Sequence, residues 1–119
     1  MGTRKISEMV LDFAAEFLRL GETPDKRRDL LRSACTAWNI ACAPEEGRAE
    51  FLDQFMASYR KCNPGADAEE CQSVRQDMEL LIQQKIKKYP EVLKQIVSCD
   101  LTVVDGKDHI FVASLRPSR

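Results

Sequence analysis

The sequence predicts a mainly α-helical protein, a four-helix bundle with a C-terminal β-hairpin packed against it. Apolar residues recur at helical spacing in four successive segments, and proline, glycine or capping residues separate these segments. Near the C-terminus the pattern changes to strand-like alternation around an Asp-Gly dipeptide, which is typical of a hairpin. All elements are assigned to a single domain, residues 1–119, because a chain of this length normally forms one core.

The first predicted helix covers residues 4–20. Its apolar residues lie within an arc of about 100°, as expected of a helix that buries one face. They are Ile6, Met9, Val10, Phe13, Phe17 and Leu20. Gly21 follows and supplies a C-terminal cap, because glycine adopts the left-handed conformation that ends many helices.

The second predicted helix covers residues 24–43 and has the widest apolar face. Thr23 fits the N-cap, and Pro24 fits the first helical position, where its missing N–H is no loss. The apolar face spans about 160°, too wide for a single neighbour, so this helix is expected at the centre of the bundle. Pro44 disfavours helical geometry at the residue before it and ends the helix.

The third and fourth predicted helices cover residues 44–62 and 68–88. Acidic residues crowd the first turns of the third helix, where the helix dipole favours anions, and Asn-Pro-Gly ends it. The fourth helix opens with a capping box, in which Asp67 takes the N-cap and Glu70 the third helical position. Its last turn is rich in lysine, and Pro90 stops the helix.

The C-terminal segment, residues 98–115, is predicted to form a β-hairpin. A four-residue loop would place Val103 opposite Ile110, so that apolar residues share one face. A two-residue Asp-Gly turn would place Val103 opposite Asp108, a poorer match, so the longer loop is preferred. An isolated hairpin is only marginally stable in water, so this one is expected to pack on the helices or on a second copy. Residues 90–97 are expected to add a short helical turn before it.

The composition indicates a globular protein without a basic excess. Hydrophobic residues make up 44% of the chain and charged residues 31%, the balance of a folded domain rather than a disordered one. There are 18 Lys and Arg against 19 Asp and Glu, whereas duplex-binding proteins normally carry a basic surplus. Nucleic-acid binding through Lys26–Arg32 and the lysines near residue 87 is therefore only a third alternative, and it is not expected.

No segment indicates a membrane span or a targeting signal. The apolar runs are far shorter than the ~20 residues that cross a bilayer. Glu8, Asp12 and Glu16 interrupt the N-terminal segment, where a signal peptide would have an uncharged core. We therefore expect no membrane contact and a cytoplasmic location.

The five cysteines are scattered, and we interpret them as reduced and structural. Cys35 and Cys42 flank Trp38 on one face of the second helix, but two turns separate them by about 10.5 Å along the axis. That separation exceeds what a disulfide or a shared zinc ion allows, so packing is the favoured interpretation. A cross-link between Cys62 and Cys71, across the turn between the third and fourth helices, is an alternative that no motif supports.

No reactive constellation is recognisable in the sequence. The single histidine, His109, cannot form a two-histidine metal site and is expected to be an exposed strand residue. The chain contains no phosphate-binding glycine loop, no nucleophile elbow and no CxxC pair. We therefore predict no catalytic residues, no metal and no cofactor, and the balance favours a protein that is not an enzyme.

The predicted function is that of a protein–protein interaction or regulatory module. The support is a set of apolar residues that lie off the main stripes of their helices. They are Leu11, Leu18, Ile40 and Leu80. Such residues are expected to form a second contact surface, either beneath the hairpin or against a partner, which is another protein or a second copy of the chain.

The alternative is a thiol-dependent or small-ligand-binding protein. Its pocket would lie between the bundle and the hairpin and would be lined by Cys35, Trp38 and Tyr59. This hypothesis requires an open cavity at these residues and, for thiol chemistry, a cysteine whose pKa is lowered.

Overall fold

The computed structural model of the protein describes residues 6–115 and confirms the predicted fold class. Within these residues, four helices are followed by an antiparallel two-stranded hairpin that packs against the second helix. The helices are α1 (Ile6–Leu18), α2 (Pro24–Cys42), α3 (Glu45–Cys62) and α4 (Ala68–Lys88). The strands are β1 (Gln95–Val104) and β2 (Lys107–Leu115). Residues 4 and 5 of the first predicted helix lie outside the described part of the chain.

Helix α2 lies at the centre of the fold, as its wide apolar face predicted. It packs against α1, α3, α4 and β1. Thr23 Oγ1 accepts a hydrogen bond from the Lys26 N–H at 3.2 Å, and Pro24 opens the helix. Extended backbone at Ala43, the residue before Pro44, ends it. The predicted start and end signals of α2 therefore act as expected.

Helix α4 is the longest described helix, with 21 residues. Asp67 Oδ1 accepts from the Glu70 N–H at 2.7 Å, so the predicted N-cap is formed. Its lysine-rich last turn is followed by Tyr89, which ends the helix before Pro90. No helix within residues 6–115 combines the length and the apolarity needed to cross a membrane.

The core is organised around Trp38, whose side chain has no exposed surface. Its ring meets the Phe13 ring edge to face at 5.5 Å and lies 5.6 Å from the Tyr89 ring. Its indole N–H donates to the Lys94 carbonyl at 2.9 Å, so the one polar atom of the buried ring is satisfied. These contacts link α1, α2 and the connection between α4 and β1.

Helix α2 holds the edge of β1 through side chains that bond to its backbone. Asn39 Nδ2 donates to the Ile96 carbonyl at 2.8 Å, and Asn39 Oδ1 accepts from the Ile96 N–H at 2.7 Å. One side-chain amide thus replaces the two bonds that a neighbouring strand would supply. Further along β1, Arg28 Nη2 donates to the Leu101 carbonyl at 3.0 Å. Side chains of α2 therefore bond to the backbone edge of β1 at two points, Ile96 and Leu101.

The hairpin register differs from the predicted one. Asp105 and Gly106 have φ of 53° and 76° and form a two-residue turn, so the predicted four-residue loop is wrong. Val103 consequently pairs with Asp108. Asp108 is accommodated because Arg27 of α2 meets it, with Nη2 donating to Oδ1 at 3.1 Å. Arg27 Nε also lies 2.7 Å from Oδ2, although its N–H is not directed at that oxygen.

A β-bulge at Val97 sets which residues of β1 face the helices. The pairing with β2 shifts between Ile96 and Ser98, which leaves Val97 without an opposite residue. Strict alternation would put Ile96 and Cys99 on opposite faces, whereas the bulge lets both contact the core. Because β1 already begins at Gln95, the helical turn expected before the hairpin is wrong.

Asn39→Ala is expected to lower the free energy of unfolding by about 1–3 kcal/mol, because both backbone groups of Ile96 lose their partner. Thr36→Ala is the matched control: its hydroxyl donates only to the Arg32 carbonyl of the same helix, so its loss should cost under about 0.5 kcal/mol. Urea unfolding of the three proteins measures the difference. Equal stability of Asn39→Ala and the wild type would show that this amide does not hold β1.

Candidate functional site

A groove opens between α1 and α3 and is floored by α2 and α4; we call it the α1–α3 groove. Its volume is about 880 Å³. It forms because α1 and α3 both pack on the α2–α4 pair without packing extensively on each other. Its apolar and aromatic lining comes from all four helices: Phe17, Leu20, Leu30, Phe55, Tyr59, Val74 and Met78.

The opening continues along α2 and α3 toward their connection. A second cavity of about 470 Å³ lies there and shares Phe55 and Ser58 with the α1–α3 groove. Arg48 closes the corner, since its Nε donates to the Ala43 carbonyl at 3.0 Å and its Nη2 to the Ala41 carbonyl at 3.3 Å. The two helices are therefore fastened at their connection, and the two cavities lie next to each other along them.

The rim of the α1–α3 groove carries charges of both signs. Lys26, Asp29 and Arg32 come from α2, and Asp77 comes from α4. Leu20 follows α1 and has 67% of its surface exposed. An apolar floor inside a charged rim is the arrangement found at protein-binding surfaces.

The structure separates the three residues predicted to line a pocket between bundle and hairpin. Cys35 and Trp38 are 4% and 0% exposed, because the hairpin covers this face of α2. Tyr59 instead lines the α1–α3 groove. Burial raises the pKa of Tyr59, and the Glu70 carboxylate raises it further, so the hydroxyl is neutral near pH 7. The three side chains do not form one open cavity.

The four apolar residues predicted to form a partner surface are also separated. Leu18 and Ile40 are buried, at 6% and 5% exposure, because α1 and α2 pack against neighbours on more than one side. They therefore belong to the core and not to a docking surface. Leu11 on α1 and Leu80 on α4 are exposed, and neither lines the α1–α3 groove.

Lys85 of α4 is the centre of a buried polar cluster that was not predicted. The residue is 1% exposed, its Nζ donates to the Val92 carbonyl at 2.5 Å, and Nζ lies 5.3 Å from the centre of the Trp38 ring. The Cys42 thiol donates to the same carbonyl at 3.7 Å. The sequence held a signal, since Lys85 follows the apolar Ile82 by three residues and so lies on the buried stripe of α4.

The pKa shifts of this region argue for a structural role. Burial lowers the pKa of Lys85, and the neighbouring Cys42 opposes that shift. Burial raises the pKa of Cys42 against the effect of Lys85, and it raises the pKa of Cys35 with a further contribution from Cys99. A raised pKa is the reverse of thiol activation, so Cys35 and Cys42 are not set up as nucleophiles. Lys85 serves instead to fix the connection between α4 and β1.

The other candidate groups are dispersed. Cys62 is exposed and Cys71 is buried, and both are free thiols, so the alternative of a cross-link between them is not formed. His109 is exposed and lies opposite Thr102 in the hairpin. Among residues 6–115, no group of three or more His, Cys, Asp or Glu residues is arranged to hold a metal ion.

The basic segment at the start of α2 is engaged in ion pairs. Arg27 pairs with Asp108, and Arg28 pairs with both Asp25 and Asp100. Two of these carboxylates belong to the hairpin. The segment therefore anchors the hairpin on α2, which reduces the charge that it could offer to a nucleic acid.

Lys85→Met is expected to remove a rise of stability with pH in the alkaline range. Burial lowers the pKa of Lys85 in the folded state below its ordinary value of 10.5, so between the two values the unfolded chain binds more protons. Stability of the wild type relative to Lys85→Met therefore increases with pH across that window. Urea unfolding between pH 7 and pH 10 measures the difference, with the exposed Lys87→Met as control. Parallel pH profiles for the wild type and Lys85→Met would contradict the burial argument.

No protein-family model, curated protein or solved structure matches the chain. The function is therefore inferred from what the α1–α3 groove and the surfaces around it are able to bind.

Proposed function

We propose that the protein is a non-catalytic interaction module that binds an amphipathic helix of a partner protein in the α1–α3 groove. The observation that carries this proposal is a groove of about 880 Å³ with an apolar contribution from each of the four helices. In a regular bundle a further helix would fill such a space, because neighbouring helices pack with their axes roughly 8–10 Å apart. The α1–α3 groove therefore lies where a further helix would pack in such a bundle.

The placement of the lining residues supports a helical ligand. Phe17 and Met78 line it from α1 and α4, and Leu30 and Phe55 line it from α2 and α3. A helix enters such a groove with residues spaced by three or four positions, which form one apolar row. The continuation of the opening along α2 and α3 gives this row room to extend beyond a single turn.

The chemistry of the lining supports a protein partner. Aromatic side chains are enriched in the cores of protein interfaces, and Phe17, Phe55 and Tyr59 line this groove. The rim charges Lys26, Asp29 and Asp77 are placed to set the orientation and the partner preference of the bound helix.

The proposed location of this module is the cytoplasm. The support is chemical: all five cysteines are free thiols, and two of them, Cys35 and Cys71, are buried where they act as small apolar residues. Unpaired cysteines in this number are typical of a reducing compartment.

Leu20→Glu is expected to weaken binding of amphipathic helical peptides by at least about tenfold, because it places an unpaired charge at the groove. The probe is a peptide selected on the wild-type protein from a library of amphipathic helices. Leu80→Glu is the matched control, since Leu80 is 62% exposed against 67% for Leu20 and lies outside the groove. Fluorescence anisotropy with the labelled peptide measures the dissociation constants.

The same titration also identifies where the peptide binds. Amide chemical-shift changes are expected at residues that line the groove, among them Leu30, Phe55 and Met78. A library that yields no binder, or a binder that Leu20→Glu leaves unaffected, would overturn the proposal. Binding of a small apolar compound without any helical peptide would favour the alternative of a ligand-binding protein.

A further inference from the structure

The edge of β1 is occupied by the protein's own side chains. Both backbone groups of Ile96 bond to Asn39, and the Leu101 carbonyl accepts from Arg28. The Leu101 N–H donates to the Asp100 carboxylate at 2.8 Å. Ile96 and Leu101 therefore direct their backbone groups away from β2, as alternate residues of an antiparallel pair do. No further strand is able to add at these positions.

Helix α1 packs against β2, but no side chain within residues 6–115 bonds to the backbone edge of β2 as Asn39 and Arg28 bond to that of β1. Ile110 lies opposite Leu101, and Val112 lies opposite Cys99, so the backbone groups of Ile110 and Val112 point away from β1. Within residues 6–115, no side chain or backbone group hydrogen-bonds to the backbone of Ile110 or Val112. Two residues of β2 therefore present unpaired donors and acceptors along one edge.

Beyond Lys107 and Asp108 at its start, the edge of β2 lacks the features that normally prevent strand addition. The bulge of this hairpin lies at Val97 in β1, and β2 contains no proline. From His109 to Ala113 the strand contains no Lys, Arg, Asp or Glu. Natural edges that stay unpaired are usually interrupted by lysine, proline or a bulge.

We propose that β2 pairs antiparallel with β2 of a second copy of this chain, so that two hairpins form one four-stranded sheet. The two-fold axis passes beside Phe111, and each Ile110 exchanges backbone hydrogen bonds with Val112 of the partner subunit. This inference concerns a surface separate from the α1–α3 groove, because no groove-lining residue belongs to either strand. It therefore stands or falls independently of the proposed function.

A second copy fits this edge because the symmetric register matches the strand to itself without placing like charges opposite each other. With the axis at Phe111, Asp108 falls opposite Ser114 of the partner subunit, and Lys107 falls opposite Leu115 of the partner subunit. No like charges meet in this arrangement. An axis at Asp108 or at Lys107 would instead bring that residue against its own copy, which disfavours those two registers.

The side chain of Phe111 adds an apolar contact at the same axis. It is 69% exposed, and it lies on the outer face of the hairpin, opposite Asp100. The two copies of Phe111 would meet in a non-hydrogen-bonded pair, the closer of the two pair types, where aromatic side chains pack across strands. Pairing therefore buries the most exposed aromatic ring of the described residues.

The dimer is expected to be weak. A single strand pair buries less than the ~1,200 Å² at the lower end of stable protein interfaces. We therefore expect a dissociation constant in roughly the micromolar range. Association must then be measured at protein concentrations up to about several hundred micromolar.

Sedimentation velocity of the full chain tests the proposal. We expect the wild type to shift from monomer to dimer as its concentration rises, and we expect Phe111→Lys to stay monomeric because two lysines would face each other across the axis. Thr102→Lys is the matched control: it adds the same charge on the same outer face of the hairpin, but on β1. It should dimerise as the wild type does. Circular dichroism and thermal unfolding check that each variant is folded.

A cross-link tests the register directly. Phe111→Cys in a Cys62→Ser background is expected to form a disulfide-linked dimer with oxidised glutathione, since Cα atoms about 4.5 Å apart suit a disulfide. Thr102→Cys in the same background should not. A wild type that stays monomeric at every concentration, a dimer that Phe111→Lys leaves intact, or equal cross-linking of the two cysteine variants would overturn the proposal. Leu20→Glu, which alters the α1–α3 groove, is expected to dimerise as the wild type does, so failure of the groove proposal can be told apart from failure of the dimer proposal.

Discussion

The fold depends on the way helical side chains satisfy the backbone of the segment that leads into β1. A two-stranded hairpin is marginal by itself, and its polar edge cannot lie against an apolar helix unless each buried group finds a partner. Trp38 and Asn39 of α2 supply such partners, and Lys85 of α4 supplies another. These bonds fall at Val92, Lys94 and Ile96, so alternate residues of a short stretch are held. They fix the hairpin on the bundle more specifically than apolar contact alone would.

The docking of the hairpin on α2 decides which surfaces of the protein remain open. Because β1 lies across α2, it covers Cys35 and Trp38, at the place where a pocket was predicted. Because the edge of β1 is bonded to α2, the unpaired edge of the hairpin is that of β2. The open sides of the bundle then lie where the hairpin does not reach, between α1 and α3. One set of hydrogen bonds thus accounts for the position of the unpaired strand edge.

The features that the sequence predicted correctly are those set by neighbouring residues. Thr23 and Asp67 cap helices because each bonds to a backbone N–H three residues ahead. The Asp-Gly pair locally favoured the observed turn, but the pairing of Val103 with Asp108 argued against it, because the residue that accommodates Asp108 is Arg27, 81 residues earlier in the chain. Lys85 is an intermediate case, because its position on the apolar stripe was visible while the carbonyl of Val92 that receives it was not. The α1–α3 groove depends on which helices fail to touch, which no local pattern encodes.

The two proposed surfaces reinforce each other if both are formed. The groove uses α1 to α4 and the dimer uses β2, so pairing through Phe111 leaves a groove open on each copy. A dimer of this kind presents two equivalent sites related by a two-fold axis. A partner with two suitable helices, or one that is itself dimeric, would bind both sites with an effective concentration set by their separation. Weak self-association and moderate affinity at one groove would then combine into tight binding only when the partner is also bivalent. Because dimerisation depends on the concentration of this chain, the apparent affinity of the complex would rise with that concentration.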